Sequence, residues 1–206
     1  IIGAGGHCRA VLKLLFRCFP KEELRIINLE IQNNESDVMG VKFSTYKDIR
    51  FIQHKEETNI YCAFGDNNKR VSTLNLARKL GFKTPSLISC EALLDETSFI
   101  GEGSFVGDLA YIGPKAYLGK DCIVNTSSII EHETIVEDGS QISPNATICG
   151  RCLIKENCFI GAGATVIDKI KIESNSIIGA GATVIDNITL SDCTWLGTPA
   201  KKYEKN

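Results

Sequence analysis

The sequence predicts a small α/β domain over residues 1–85, then a parallel β-helix of six-residue repeats over 86–198 and a short tail at 199–206. Three observations carry this reading. From Leu94 to Leu196 every sixth residue is Ile, Leu or Val, 18 positions without insertion or deletion, although these types make up only 51 of the 206 residues. Four residues after each aliphatic, from Ser98 to Thr194, a small side chain stands in 15 of 17 cases. Before about residue 85 the pattern changes, and short apolar runs alternate with glycine turns and helix-length segments.

A six-residue unit cannot bury its own apolar side chain, so it must stack on copies of itself. Three such units make one triangular coil, with the aliphatic filling the core and the small residue fitting beside it. Coils then lie at the ordinary strand spacing of about 4.8 Å. The two exceptions to the small position, Ile170 and Ile188, are one whole coil apart and are expected to stack on one wall. An antiparallel sandwich would show period two and loops of uneven length instead.

The first unit reads as strand, glycine turn and helix, repeated. Ile1-Ile2 ends in Gly3-Ala4-Gly5-Gly6-His7, and residues 8–19 follow as a helix with Ala10, Val11, Leu14 and Leu15 on one face. Leu24 to Leu29 is a second apolar strand and Ile60 to Phe64 a third. Gly65-Asp66-Asn67-Asn68 then opens a helix to about Leu80, which Gly81 stops. Such alternation indicates a Rossmann-like βαβ unit with a parallel sheet, joined to the repeats near Pro85. The chain opens without methionine directly before its first glycine turn, which implies a start inside the first strand.

Composition narrows the partners. A formal net charge of −2 offers no broad basic field for nucleic acid or an anionic membrane. No apolar run has the length of a membrane span, and no signal peptide opens the sequence. Nine cysteines, an odd number spread along the chain, suit reduced thiols in the cytoplasm better than a disulfide framework. In that compartment the sequons at Asn34, Asn125, Asn145 and Asn187 are turn asparagines.

Chemistry has few candidates. The turn Gly3-x-Gly5-Gly6 offers backbone N–H groups at a helix start, but Cys8 takes the third glycine place of a dinucleotide fingerprint. Asn28 and Glu30 are the only candidates for a ribose-binding acid, so a sugar-linked nucleotide fits better than a dinucleotide cofactor. A zinc hydratase on a β-helix needs three histidines, whereas only His132 of the three here lies in the repeats. No metal is expected. His132 falls on an exposed turn, with Glu133 adjoining it as a partner for Nδ1 and Gly150 one coil above leaving open space and a backbone N–H. Cys149-Gly150-Arg151-Cys152 imitates a redox motif, but Cys152 falls at an inward small position, as do Cys122 and Cys158, and no helix is due there. Lys201, Lys202 and Lys205 read as a solvated tail.

Four segments then carry a resemblance over essentially the whole chain. They are Gly3-Ala4-Gly5-Gly6-His7, Asn125 to Glu133 (NTSSIIEHE), Ile142-Ser143-Pro144-Asn145-Ala146 and Leu196-Gly197-Thr198-Pro199-Ala200-Lys201. Together they closely resemble the NeuD-type sugar acetyltransferases, which include sialic acid O-acetyltransferases and N-acetyltransferases of nucleotide-linked 4-amino sugars. The resemblance implies a left-handed β-helix, acetyl-CoA as co-substrate and a homotrimer with each active site between neighbouring subunits. It makes His132 the general base, with Glu133 raising its basicity. It places the nucleotide-linked sugar acceptor on Gly5, Gly6, His7, Gly65 and Asn67, with Asn125 also among the substrate contacts. Acetyl-CoA would run along one edge past Ser143, Gly150, Ala162 and Ala180, with Gln141 and Pro199 contributing. Two positions depart from relatives: Gln141 replaces a histidine that some carry, and Leu29-Glu30 stands where some have paired aspartates. The leading expectation is N-acetylation of a nucleotide-linked amino sugar for surface glycans. Sialic acid O-acetylation and a non-catalytic trimeric scaffold are the alternatives.

Overall fold

The computed structural model describes residues 1–20, 24–27, 37–42, 48–52 and 54–204. The chain divides into two compact units, Ile1–Leu87 and Ile88–Asn206, close to the expected junction at Pro85.

In the first unit, Ile2 sits at the centre of a parallel arrangement, bridged on one side to Ile27 and on the other to Cys62, with Asn59 bridged to Lys83 beyond. The first helix, α1, spans Gly6–Cys18 and begins earlier than the apolar pattern suggests, because Gly5 already takes the N-cap place. It buries Cys8, Val11, Leu12, Leu14 and Leu15. The second, α2, spans Asn67–Lys79, and Asp66 caps it by accepting from the Lys69 N–H at 2.8 Å. Gly81 follows at φ +89°, a left-handed value that favours glycine at a helix end. Ile26 and Ile27 are paired as expected for the second strand, while Asn28, Leu29, Glu30 and Asn34 lie outside the described residues.

The second unit is the predicted parallel β-helix. Its two-residue strands form three walls in rotation. The first wall contains Tyr111–Ile112, Ile129–Ile130, Thr147–Ile148 and Thr165–Val166; the second Tyr117–Leu118, Ile135–Val136 and Leu153–Ile154; the third Ile123–Val124, Gln141–Ile142 and Phe159–Ile160. Each strand pairs in parallel with its counterpart one coil further on, as Ile130 with Ile148 and Ile142 with Ile160. The repeat aliphatics from Val106 to Val184 fill one continuous apolar core. Leu118 is fully buried there, so Leu118→Ala is expected to lower unfolding stability by about 2–5 kcal/mol, read from urea melts.

The small inward residues also bond between coils. The Thr134 hydroxyl donates to the Cys149 carbonyl (2.8 Å) and accepts from the Cys152 N–H (3.2 Å), and Ser140 does the same with Lys155 and Cys158. A serine or threonine there satisfies two backbone groups that an alanine leaves to others. Burial, the main cause, pushes the Cys152 thiol up to about 11 and the Cys158 thiol up to about 12, so neither is a thiolate near neutrality. Alkylation of the native protein at mildly alkaline pH should therefore mark exposed Cys90 and spare Cys122, Cys152 and Cys158; equal labelling rates would contradict this packing.

The repeat slips at its last coil. Ile188 does not stack on Ile170: it bridges Ile172, short of a full coil, and takes the inward place expected of Leu190. Leu190 is thereby turned out to solvent, as is Leu196, while Trp195 pairs with Ile178. The described part of the C-terminal segment then turns back, with Lys201–Lys202 antiparallel to Trp195–Leu196.

Candidate functional site

Three walls leave three corners. The first, between walls one and two, holds residues 131–133 and, one coil above, 149–151. There His132 and Glu133 form a pair, with Nδ1 of the imidazole 3.2 Å from Glu133 Oε2. A carboxylate can only accept, so the proton sits on Nδ1 and Nε2 presents its lone pair. The pair is half-exposed, with side-chain exposures of 44% and 46%. The main-chain bonds from Glu133 N to Pro114 O (2.8 Å) and from Arg151 N to His132 O (2.9 Å) fix the turn from below and above.

Nε2 faces Gly150. A Cβ built on that residue would stand 2.6 Å from both Cε1 and Nε2, so only glycine leaves the ring its place. The Gly150 N–H finds no acceptor among the described residues, while Cys149 N and Arg151 N on either side are both bonded. A base and a free backbone donor thus share one corner, the combination that acyl transfer to an amine or hydroxyl needs.

The expected acetyl-CoA contacts divide between two corners. Ser143, Ala162 and Ala180 lie at the third corner, between walls three and one, together with Asn125. Ala162 and Ala180 are one coil apart and open to solvent at its edge, since Gly181 N donates to Ala162 O at 2.9 Å. Thr198 Oγ1 donates to Gly181 O, which keeps Pro199 near the same corner. Gln141 lies on the adjoining strand of wall three. Gly150 is a correction to the single edge drawn from the sequence. It precedes Ala162 by two hexapeptides, two thirds of a coil, which puts it at the first corner beside His132.

The third corner fits a ligand rich in carbonyls and amides. Gln141 Oε1 and Ser143 Oγ are buried beside it and find no hydrogen-bond partner among the described residues, so a bound polar chain would satisfy them. Among the described residues no group of three or more His, Cys, Asp or Glu side chains is arranged to hold a metal ion.

In the first unit the two expected acceptor loops come together. A Cβ built on Gly3 would stand 3.1 Å from the Phe64 ring, and Ala63 N donates to Ile2 O at 2.7 Å. Buried Arg70 of α2 donates to Asn67 Oδ1 (2.8 Å) and to the Phe64 and Gly65 carbonyls (3.3 Å each). Gly5, Gly6 and Gly65 all border open space where a side chain would meet nothing within 4 Å. Burial, and after it the Arg70 charge, lower the His7 pKa to about 4, so His7 is neutral at physiological pH. A neutral imidazole, an amide and open backbone suit a polar ligand here.

Two family models match the chain, one on each side of residues 77–87. Residues 1–76 match the family described as the PglD N-terminal domain, and residues 88–206 match the one described as the GMPPB C-terminal domain. The acetyltransferase domain of PglB from Neisseria gonorrhoeae FA1090, solved in complex with acetyl coenzyme A, is 30% identical with a TM-score of 0.89, covering 98% of this chain and 97% of that one. The chain belongs to the NeuD/PglD-type sugar acetyltransferases. PerB from Caulobacter crescentus, solved with CoA and GDP-perosamine, is 25% identical with a TM-score of 0.88 over 98% of this chain and 95% of that one. WeeI from Acinetobacter baumannii AYE shares the fold at 23% identity, TM-score 0.88, over 98% and 97% of the two chains. No curated protein sequence matches. Like the family, this chain is an acetyl-CoA-dependent acetyltransferase on a hexapeptide β-helix.

One residue at the first corner is not singled out by the sequence. Arg151 donates from Nε to Glu133 Oε2 at 2.9 Å, the same oxygen that faces His132. The signal lies in the register, because 133 and 151 are one coil apart. Cys149 and Cys152 on either side draw attention to their thiols rather than to the arginine between them.

Proposed function

We propose that this chain transfers an acetyl group from acetyl-CoA to the amino group of a nucleotide-linked amino sugar, with His132 as general base. The observation that carries the reading is the His132–Glu133 pair with Nε2 beside the unbonded N–H of Gly150. The relatives support the substrate class: the PglB domain was solved with acetyl coenzyme A, and PerB with CoA and GDP-perosamine.

Acetyl-CoA supplies the acetyl group already activated as a thioester. As the amine nitrogen bonds to the acetyl carbon and the carbon–sulfur bond breaks, His132 Nε2 takes the amine proton and can return it to the departing sulfur. Glu133 stabilises the imidazolium formed in between. The Gly150 N–H would stabilise negative charge on the acetyl oxygen. Gln141 and Ser143 hold the pantetheine arm, with Ala162, Ala180 and Pro199 beside it. Gly5, Gly6, His7, Gly65, Asn67 and Asn125 bind the acceptor.

The same reading is consistent with the homotrimer that the resemblance implies. His132 and the acetyl-CoA contacts occupy different corners of one chain, so the base of one subunit would serve the track of its neighbour. The nine cysteines, an odd number spread along the chain, favour a cytoplasmic setting, and no helix among the described residues is long and apolar enough to cross a membrane. Thermal shift tests the acceptor class. The melting temperature should rise with nucleotide-linked 4-amino sugars and not with free sialic acid; the reverse would assign the protein to O-acetylation.

A further inference from the structure

We propose that Arg151 is a positioning residue for the base: its guanidinium pins the Glu133 carboxylate, which in turn holds the imidazole of His132 in one orientation and one tautomer. The proposal rests on His132 being the base. Its geometric warrant is one oxygen with two partners. Glu133 Oε2 accepts from Arg151 Nε at 2.9 Å and lies 3.2 Å from His132 Nδ1. The carboxylate projects from an exposed turn residue at φ +58°, and no other hydrogen bond to its side chain is present among the described residues. Without the arginine, Glu133 would sample rotamers that leave Nδ1 to water.

The two contacts set the direction of the effect. A carboxylate held in place keeps Nδ1 as the donor and leaves the lone pair on Nε2. The remaining charged and titratable groups around this corner are Glu131 on the same turn, Lys115 one coil below, Cys149 one coil above, and Asp168 and Lys169 above those. Glu131 faces the His132 backbone, its Oε2 3.4 Å from the backbone nitrogen. The arginine and, after it, the imidazole hold the Glu133 carboxyl below its usual range, so near neutrality it is a carboxylate that only accepts.

Arg151→Gln and Arg151→Lys separate charge from mere packing. Arg151 is 56% exposed on its side chain, so both variants should fold. The ring of His132, one of only three imidazoles in the chain, can be read by nitrogen NMR, which separates the two tautomers, alongside kcat and KM. In wild type the Nδ1–H tautomer should dominate; in Arg151→Gln it should give way to a mixture of tautomers, and kcat should fall several-fold while KM for acetyl-CoA stays unchanged. Arg151→Lys, which can still hold the carboxylate, should recover the wild-type tautomer and most of the rate. A wild-type tautomer and rate in Arg151→Gln, or equal losses in both variants, would overturn the proposal. His132→Asn serves as the control on its foundation: if that variant stayed active, the base reading itself would fall. If it were inactive while Arg151→Gln kept the wild-type tautomer and rate, the positioning role alone would fall.

Discussion

Replacing His132 by alanine is expected to lower kcat by about 10²–10⁴-fold, the usual range for loss of a general base. KM for acetyl-CoA should change little, because the residues proposed to hold it lie at a different corner of the chain. The fold should be indifferent. His132 is half-exposed and lies outside the apolar core, so thermal melts of wild type and variant should superimpose. The acceptor sharpens the expectation. A sugar hydroxyl is harder to deprotonate than an amine, so an O-acetylating enzyme would stand nearer the upper end of that range. A variant with more than a tenth of wild-type activity would mean that the proton leaves by another route.

Gly150→Ala should be nearly as damaging although no reactive group is removed. Its new methyl would stand 2.6 Å from His132 Cε1 and Nε2, far inside van der Waals contact. The ring must turn away, and its 3.2 Å contact with Glu133 goes with it. Displacement of a catalytic group by about 1 Å can cost about 10²-fold, so a loss of that order is expected, mostly in kcat. Gly150 does not have a left-handed φ, so alanine brings no backbone penalty and stability should hold. Wild-type activity in Gly150→Ala would show that the imidazole does not work from the position described.

Most of the β-helix is legible in the sequence because its period is rigid. Ile112, Ile130 and Ile148 must stack since nothing else can cover them, and the observed pairings follow the register of three hexapeptides per coil. That logic ends where the coil ends. Beyond Val184 no further full coil enforces the spacing, so Ile188 enters the core early and Leu190 stays outside. Of the site, the His132–Glu133 pair and the space at Gly150 follow from neighbours in sequence and in register. The corner assignment does not follow from small side chains alone, so a grouping of Gly150 with Ala162 and Ala180 by size fails. Counting thirds of a coil separates them. Arg151 is illegible for another reason: a charged residue on an exposed turn has no pattern of its own, and its meaning lies in the glutamate one coil below. The hydroxyl bridges of Thr134 and Ser140 are hidden in the same way, since "small" describes their volume and not their bonds.

The most direct test of the whole account is to incubate wild type and His132→Ala with acetyl-CoA and a panel of nucleotide-linked 4-amino sugars plus free sialic acid, and to weigh the products by mass spectrometry. Mass detection avoids the background that nine protein thiols would give a thiol reagent. The account predicts the mass gain of one acetyl group on a nucleotide-linked amino sugar, lost in the variant. Acetylation of sialic acid alone, or an equal yield from His132→Ala, would contradict it.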